Sequence, residues 1–346
     1  MPTGPQGPIG VTGGTGPQGN TGATGATGPQ GPAGIVQGVT SFASATTGSY
    51  NVLVGGTSNT LSAADTTILG GNHNIVAIRE SAIVGGINNK IDDVFSNGYQ
   101  CAIIGGSLNH TYNSRESVIV GGSNNYINGI SSAILGGELN TVGNSATYGT
   151  VIGGYGNTVS GSASVAGGLH ATAAHDGSFV WCGSSGAISS NFSAASTTDN
   201  QFYVRADGGV VFYSVNSGGA SAGVQLAPGS GSWSSLSDRA SKENFQTVDG
   251  REILDRLATM PMASWNYKAQ DSAIRHIGPV AQDFHEAFGV GEDEKRISSV
   301  DADGVALAAI QGLHAIVKEK ELDIQNLKTQ LSELKKMVEE MRNKQE

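Results

Sequence analysis

A serine and a lysine stand five residues apart at the point where the composition of the chain changes. Ser237 and Lys242 lie between a stretch of small residues, 229–236, and a charged C-terminal part. A serine hydroxyl becomes a nucleophile when a base takes its proton, and a lysine acts as that base when burial lowers its pKa. A turn over five residues is short enough to bring the lysine amine back over the serine. The pair therefore predicts a nucleophilic serine with the lysine as its general base.

The carbonyl that this serine attacks can be that of Leu236, directly before it in the chain. Direct attack or an N-to-O acyl shift would form an ester, and hydrolysis of that ester would break the bond between Leu236 and Ser237. Proximity would supply much of the rate, because nucleophile and scissile bond belong to one chain. The candidate supporting residues are Asp238, Arg239 and His276. Arg239 or backbone amides of the turn could stabilise the oxyanion, and His276 could orient a catalytic group or pack at a strand end.

The overall composition argues against one compact globule. Glycine makes up 52 of 346 residues and charged residues 14%, where about 25% is typical. The first charged residue is Asp65, and the net charge of -10 disfavours nucleic acid and anionic membranes as partners. We find no signal peptide and no apolar run near the roughly 18 residues that span a membrane. We therefore expect no nucleic-acid partner, no membrane insertion, no cofactor and no metal.

The N-terminal segment, residues 1–36, has glycine at every third position from Gly4 to Gly34, with prolines between. A strict glycine triplet fits the crowded axis of three wound polyproline-II chains, so it predicts a collagen-like triple helix. The alternative is a disordered linker, which needs no period. A triple helix would fix the stoichiometry at three parallel chains.

Residues 37–171 contain an internal repeat with a spacing of 14 to 20 residues. Each copy has two apolar residues, Gly-Gly, two variable residues and, in seven of eight copies, an asparagine. The pattern predicts a β-solenoid with short strands such as 68–69 and 83–84 before the glycines and a second strand after the asparagine. We expect the glycines to form the corner, and the asparagine to tolerate the left-handed region and to bond its own turn. Stacked coils would align the asparagines in a ladder: Asn59, Asn74, Asn89, Asn109, Asn125, Asn140 and Asn157.

The segment 172–236 reads as a β-rich connector, with a hairpin predicted over 202–213 around Asp207, Gly208 and Gly209. Residues 237–304 then predict a small α+β domain. Asp249 and Glu252 form a candidate capping box for a helix over 251–258, followed by a strand over 263–267 and a helix over 279–288.

The last segment, residues 305–346, belongs to one long helix whose predicted N-cap is Asp301 or Asp303. Its apolar residues alternate at spacings of three and four over five heptads, which is the pattern of a coiled coil. Lys320 is the one polar core position. The core residues leave dimer and trimer open, and we choose a parallel trimer because the collagen-like segment requires three chains.

Two parts of the sequence resemble known families. The repeats resemble the heads of trimeric autotransporter adhesins, which implies a left-handed parallel β-roll in a trimer. The C-terminal part resembles the intramolecular chaperone auto-processing domain of phage endosialidase tailspikes and tail fibres. The motifs that carry this second resemblance are S-D-R-x-x-K-E-N at 237–244, S-W-N-Y-K at 264–268, H-I-G-P-x-A-Q-D-F at 276–284 and V-D-x-D-G-V-A-L at 300–307.

The chaperone resemblance implies that a serine and lysine dyad cuts the domain away after it has trimerised a fibre. The family's serine falls on Ser237 and its lysine on Lys242. Phe245 stands where isoleucine is common, and both are apolar. Ser241 is a rival nucleophile beside the lysine, but the family pattern does not use that position.

The sequence therefore predicts a mainly β, fibrous homotrimer: a collagen-like triple helix, β-solenoid repeats, and an α+β chaperone ending in a coiled coil. We expect an autocatalytic serine endopeptidase that cuts its own chain once, in cis. We expect the protein to be located on a virion tail or an extracellular surface. The shaft would meet a host or cell-surface receptor, either glycan or protein. The alternatives are a trimer whose tail never cuts, and a glycan-cleaving enzyme, for which no carboxylate pair stands out.

Overall fold

A computed structural model describes residues 50–94, 98–183, 193–214 and 222–344. The collagen-like segment predicted for residues 1–36 lies outside the described residues. The chain divides into two compact units, Met1–Arg205 and Ala206–Glu346, which we treat separately.

The first unit is a β-solenoid made of two parallel sheets that alternate along the chain. The ten-stranded sheet takes the odd strands up to β19: β1 Val52–Leu53, β3 Thr67–Ile68, β5 Ala82–Ile83, β7 Ala102–Ile103, β9 Val118–Ile119, β11 Ala133–Ile134, β13 Thr150–Tyr155, β15 Val165–Leu169, β17 Phe179–Gly183 and β19 Phe202–Ala206. The nine-stranded sheet takes the even strands: β2 Thr60–Leu61, β4 Ile75–Val76, β6 Lys90–Asp92, β8 His110–Tyr112, β10 Tyr126–Ile127, β12 Thr141–Val142, β14 Thr158–Val159, β16 Ala171–Ala173 and β18 Ala194–Ala195.

The core of the solenoid is a stack of mostly aliphatic side chains, and each two-residue strand contributes one of them. In β9, for example, Val118 is partly exposed while Ile119 is completely buried, and Ile119 pairs in register with Ile103 and Ile134. Successive strand residues point to opposite faces, so each two-residue strand contributes one residue to the core. The predicted strand bounds were therefore wrong by one residue. Leu69 and Val84, which we expected inside strands, follow them and are exposed.

The second glycine of each Gly-Gly pair is required by the coil itself. Gly71 has φ +86°, and a Cβ added there would lie 2.1 Å from the carbonyl oxygen of Gly86 in the next coil. Glycine adopts this left-handed region without steric cost and leaves room for the neighbouring backbone. The predicted glycine corner is confirmed at this position of the repeat.

The predicted asparagine ladder is confirmed. The Nδ2 of Asn125 donates to the carbonyl oxygens of Gly121 in its own turn and Gly137 in the next coil, at 3.0 and 2.9 Å. Its Oδ1 accepts from the backbone N–H of Asn140 at 3.1 Å. The reason we gave was wrong in one respect, because the left-handed residue is the one before the asparagine: Asn124 has φ 54°.

A ladder of small polar residues at the opposite corner was not predicted. The Oγ of Ser117 donates to the carbonyl oxygen of Gly129 at 3.1 Å and accepts from the backbone N–H of Ser132 at 3.2 Å. Ser132 repeats the arrangement with Ala146 and Gly149 in the next coil. These bonds satisfy backbone groups at a buried corner that the strands leave without partners.

The solenoid continues past the last Gly-Gly pair. The asparagine ladder ends at Ala171. The Ala171 N–H donates to the Oδ1 of Asn157, but alanine has no side-chain amide to bond the next coil. Strands β16 to β19 follow, inside the segment that we interpreted as a connector. The hairpin predicted over 202–213 was wrong: β19 joins the solenoid sheet, while β20, Val210–Tyr213, pairs antiparallel with β21, Gly223–Leu226. An alternating pattern does not specify which partner a strand takes.

The second unit begins with a three-stranded antiparallel sheet in the order β20, β21 and β22, the last spanning Trp233–Ser235. It continues with helix α1, Gly250–Thr259, and a hairpin of β23, Ala263–Trp265, and β24, His276–Gly278. Helices α2, Ala281–Phe288, and α3, Ser299–Asn343, complete it.

Three predicted helix and strand bounds needed correction. The strand predicted over 263–267 ends at Trp265, and α2 begins at Ala281, two residues later than predicted. Helix α3 begins before both predicted caps, because the Ser298 side chain accepts from the Val300 N–H and caps it. Asp249 caps α1 as predicted, but the Glu252 side chain pairs with Arg256 and so completes no capping box.

A small core joins the three helices of this unit. Met260, Phe284 and Val305 are its buried members, and the Phe288 ring contacts that of Phe284 at a tilt, with ring centroids 5.0 Å apart. Helix α1 also approaches α3 closely through two glycines. A Cβ added at Gly312 would lie 2.1 Å from the carbonyl oxygen of Gly250.

Most of α3 stands exposed in one chain. Val305, Ala309 and Gly312 are its buried residues among those described. The predicted heptad positions are exposed, including Leu313, Leu327 and Leu334. By length and composition alone α3 could also cross a membrane, which the sequence analysis did not expect. Its three-and-four spacing of apolar residues is the pattern of a coiled coil.

Candidate functional site

The peptide bond between Leu236 and Ser237 follows directly on the last strand of the three-stranded sheet. The Leu236 N–H donates to the carbonyl oxygen of Gly223 in β21 at 3.0 Å. This hydrogen bond extends the pairing of β22 by one residue and holds the amino side of Leu236 against the sheet. Both Leu236 and Ser237 are exposed in the single chain.

A 3₁₀ turn over Arg239–Ser241 follows, and Asp238 caps it. The Asp238 side chain accepts from the Ala240 N–H at 2.8 Å. The Lys242 N–H closes the turn by donating to the carbonyl oxygen of Arg239 at 3.2 Å. Aspartate is a favoured N-cap because its carboxylate satisfies an N–H that the turn leaves without a partner. Asp238 therefore shapes the backbone of the turn between Ser237 and Lys242.

This turn places the Lys242 amine beside the Ser237 hydroxyl. Lys242 Nζ donates to Ser237 Oγ at 2.6 Å. A direct contact of this length permits proton transfer between the two groups without a bridging water. Both side chains are exposed in the single chain.

The other two candidate supporting residues have partners of their own. The Arg239 guanidinium carbon lies 4.7 Å from the centroid of the Phe245 ring, in a cation–π contact. His276 Nε2 lies 2.9 Å from the Oε1 of Gln270, and its ring contacts Trp265 and Tyr267 at centroid distances of 5.0 and 5.5 Å. His276 thus belongs to an aromatic cluster at the β23–β24 hairpin.

The sequence reasoning missed Gly223, which anchors the residue before the serine. A Cβ added there would lie 2.1 Å from the carbonyl oxygen of Phe212. A glycine inside a strand often marks a close approach of another backbone, and that signal was present in the sequence. Phe245 was noted only for its apolar character, and its contact with Arg239 links two residues six apart around the turn.

Comparison with known families gives one match. Residues 237–290 match the family model described as chaperone of endosialidase, and the match begins at Ser237 itself. No curated protein matches the chain. The chain thus carries a C-terminal chaperone domain of this kind, as its motifs predicted, and the β-solenoid agrees with the predicted repeat head.

Proposed function

We propose that this protein is a trimeric fibre whose C-terminal chaperone promotes assembly and then releases itself by cutting the bond between Leu236 and Ser237. The observation that carries the proposal is the 2.6 Å contact between Lys242 Nζ and Ser237 Oγ, directly after a peptide bond held at the edge of a sheet. The family match that begins at the same serine supports it.

The proposed reaction uses the chain as its own substrate. The Lys242 amine, in its neutral form, takes the Ser237 hydroxyl proton while the Oγ attacks the carbonyl carbon of Leu236. The C–N bond then breaks, the new Ser237 amine gains a proton, and an ester joins Leu236 to the Ser237 oxygen. Water hydrolyses this ester to leave a carboxylate on Leu236. Each chain reacts once, because the nucleophile leaves with the product.

Assembly provides a natural control of this reaction. A lysine amine acts as a base when burial favours its neutral form, and the Lys242 side chain is exposed in one chain. The same unit exposes apolar side chains, among them Val248 and Ile277 with exposed fractions of 61% and 81%. Three chains that cover these surfaces would also enclose the serine and the lysine. Cleavage would then follow trimerisation.

The remaining segments fit a fibre with the same three-chain stoichiometry. Residues 1–36 would form a collagen-like triple helix, and α3 a parallel three-stranded coiled coil. We place the protein on a virion tail or another extracellular surface, where the solenoid would face a glycan or protein receptor.

The test is expression of the full chain with three matched serine and lysine variants. Wild type should appear on denaturing gels as fragments 1–236 and 237–346. Ser237→Ala and Lys242→Ala should stay intact, and Ser241→Ala, which alters the neighbouring serine, should be cut like wild type. An intact wild-type trimer would favour the alternative function, in which the tail assembles the fibre and never cuts. Cleavage of Ser237→Ala would refute the assignment of the nucleophile.

A further inference from the structure

One face of the solenoid carries an exposed aliphatic column. The residue directly before each Gly-Gly pair is Val, Leu or Ile in seven successive coils, with exposed fractions from 37% to 50%. Backbone hydrogen bonds hold each member against the next coil: the Leu69 N–H, for example, donates to the carbonyl oxygen of Ile83, the residue before Val84, and the Val84 N–H donates to that of Ile103, the residue before Ile104. The aliphatic column consists of Val54, Leu69, Val84, Ile104, Val120, Leu135 and Ile152.

The first glycine of each pair lies beside this column. At Gly55, Gly136 and Gly153 φ lies between +142° and +154°, a range that favours glycine, but four other pairs have a first glycine that nothing within the single chain requires. At Gly70, Gly85, Gly105 and Gly121 the described part of the chain places no atom within 4 Å of an added Cβ. None of these four glycines has φ in the left-handed range. The second glycine differs on both counts, as Gly71 shows. A repeated glycine that neither space nor φ requires indicates that another backbone or ring lies against it.

The coil with the last Gly-Gly pair shows what such a glycine accommodates. Gly167 occupies the same position, and the ring of Trp181 lies 3.0 Å from the Cβ that it would carry. There the chain covers its own glycine with an apolar group. In the seven coils before it, the equivalent surface is open.

The face around the column lacks charge. The outward residues of the first seven odd strands, β1 to β13, and the column itself include no Asp, Glu, Lys or Arg among the described positions. The outward face of the nine-stranded sheet instead carries Lys90, Asp92 and His110. A chain of net charge -10 can bring copies together most easily through a face without charge.

We propose that the ten-stranded sheet, through the aliphatic column and its neighbouring first glycines, is the surface on which the solenoids of three copies pack against one another. This proposal rests on the trimer of the proposed function and identifies the surface that forms it. A partner must present apolar groups at the coil spacing of about 4.8 Å over roughly 29 Å. A second copy, parallel and in register, has this spacing by construction. Helix α3 independently exposes apolar heptad residues that parallel copies would cover.

The test is disulfide cross-linking of full-chain variants that each gain one exposed cysteine, after light scattering has given the mass in solution. Val120→Cys places a thiol in the column, and Thr141→Cys places the matched control on the nine-stranded sheet. Cys101 and Cys182 are buried and serve as background in both variants. At about 1 µM chain, thiols held together in an assembly should oxidise on the order of a hundredfold faster than thiols that meet by diffusion.

The expected result is rapid covalent dimer in Val120→Cys and slow, diffusion-limited oxidation in Thr141→Cys. A trimer in which the two variants oxidise equally slowly, or in which Thr141→Cys is faster, would overturn the assignment of the surface and leave the trimer intact. A monomeric mass would overturn both the surface and the trimer. As a second variant, Val120→Glu alters a side chain that one coil leaves exposed, so the coil should fold while the copies separate. Unchanged assembly of that variant would also contradict the proposal.

Discussion

The asparagine ladder gives the sharpest prediction about stability, through the substitution Asn125→Ala. The amide of Asn125 donates to Gly121, Gly137 and the Oδ1 of Asn109, and accepts from Asn140. Alanine makes none of these bonds, in a position that is completely buried. The Asn140 N–H then loses its acceptor and the Gly121 carbonyl loses the amide donor.

The magnitude follows from these two groups. A buried polar group left without its partner costs about 1–3 kcal/mol, so the substitution should lower the free energy of unfolding by about 4 kcal/mol. For a domain of this size, one kcal/mol lowers the melting temperature by about 2–4 °C, which predicts a decrease of about 10 °C. Asn128→Ala is the control in the same coil. Asn128 is half-buried, and its backbone N–H donates to Val142, a bond that alanine keeps.

The assay is thermal unfolding of the full chain followed by circular dichroism in the β-sheet region, at equal protein concentration for each variant. Hydrogen exchange should locate the effect, because the Asn140 amide should exchange much faster in Asn125→Ala than in Asn128→Ala. Equal melting temperatures for the two variants would refute the claim that the ladder holds the coils together.

Four further predictions follow from the same structure. Ile119→Ala should lower the free energy of unfolding by about 2–5 kcal/mol, measured by denaturant titration, because it removes a fully buried side chain from the stack. Asp249→Ala should cost about 1 kcal/mol in the stability of the second unit, through the lost N-cap. Gly312→Ala should separate α1 from α3, seen as faster proteolysis of α1, because its Cβ would meet the Gly250 carbonyl. Burial raises the pKa of the Cys101 thiol from 9.0 to about 11, so this thiol should resist alkylation at pH 8. The stability that the neutral thiol contributes is complete below pH 9 and should disappear as the pH rises through 11. If a Cys101→Ser variant lost the same stability between pH 9 and 11, this assignment would be contradicted.

The period of the solenoid could be predicted from the sequence because one motif serves two local needs in each coil. The second glycine gives a left-handed corner, and the asparagine amide bonds both its own turn and the next coil. Their fixed separation therefore survives in the sequence. Leu69 was wrongly predicted to lie inside a strand because it is an aliphatic residue next to the buried Ile68. The sequence alone does not show that its side chain faces outward, since that depends on the neighbouring coil. The ladder of small polar residues at the opposite corner left a weaker pattern in the sequence, since Cys101 and Gly149 stand at its position in two coils.

The second unit was less predictable because its contacts are long-range. Ser298 caps α3, although Asp301 and Asp303 are also favourable N-cap residues by sequence. Which residue becomes the cap depends on where the chain leaves the core around Phe284 and enters the helix. In the candidate site, the spacing of Ser237 and Lys242 indicated that a turn could join them. The role of Gly223 required knowledge of the sheet, because β21 lies before β22 in the chain and pairs with it only after folding.

The measurement that tests the central claim most directly is the N-terminal sequence of the small fragment from the expressed wild-type chain, with its intact mass. We predict a fragment that begins Ser237-Asp238-Arg239 and ends at residue 346, and its absence from Ser237→Ala and Lys242→Ala. A fragment that begins at any other residue, or a wild-type trimer that stays whole, would contradict the proposed attack of Ser237 on Leu236.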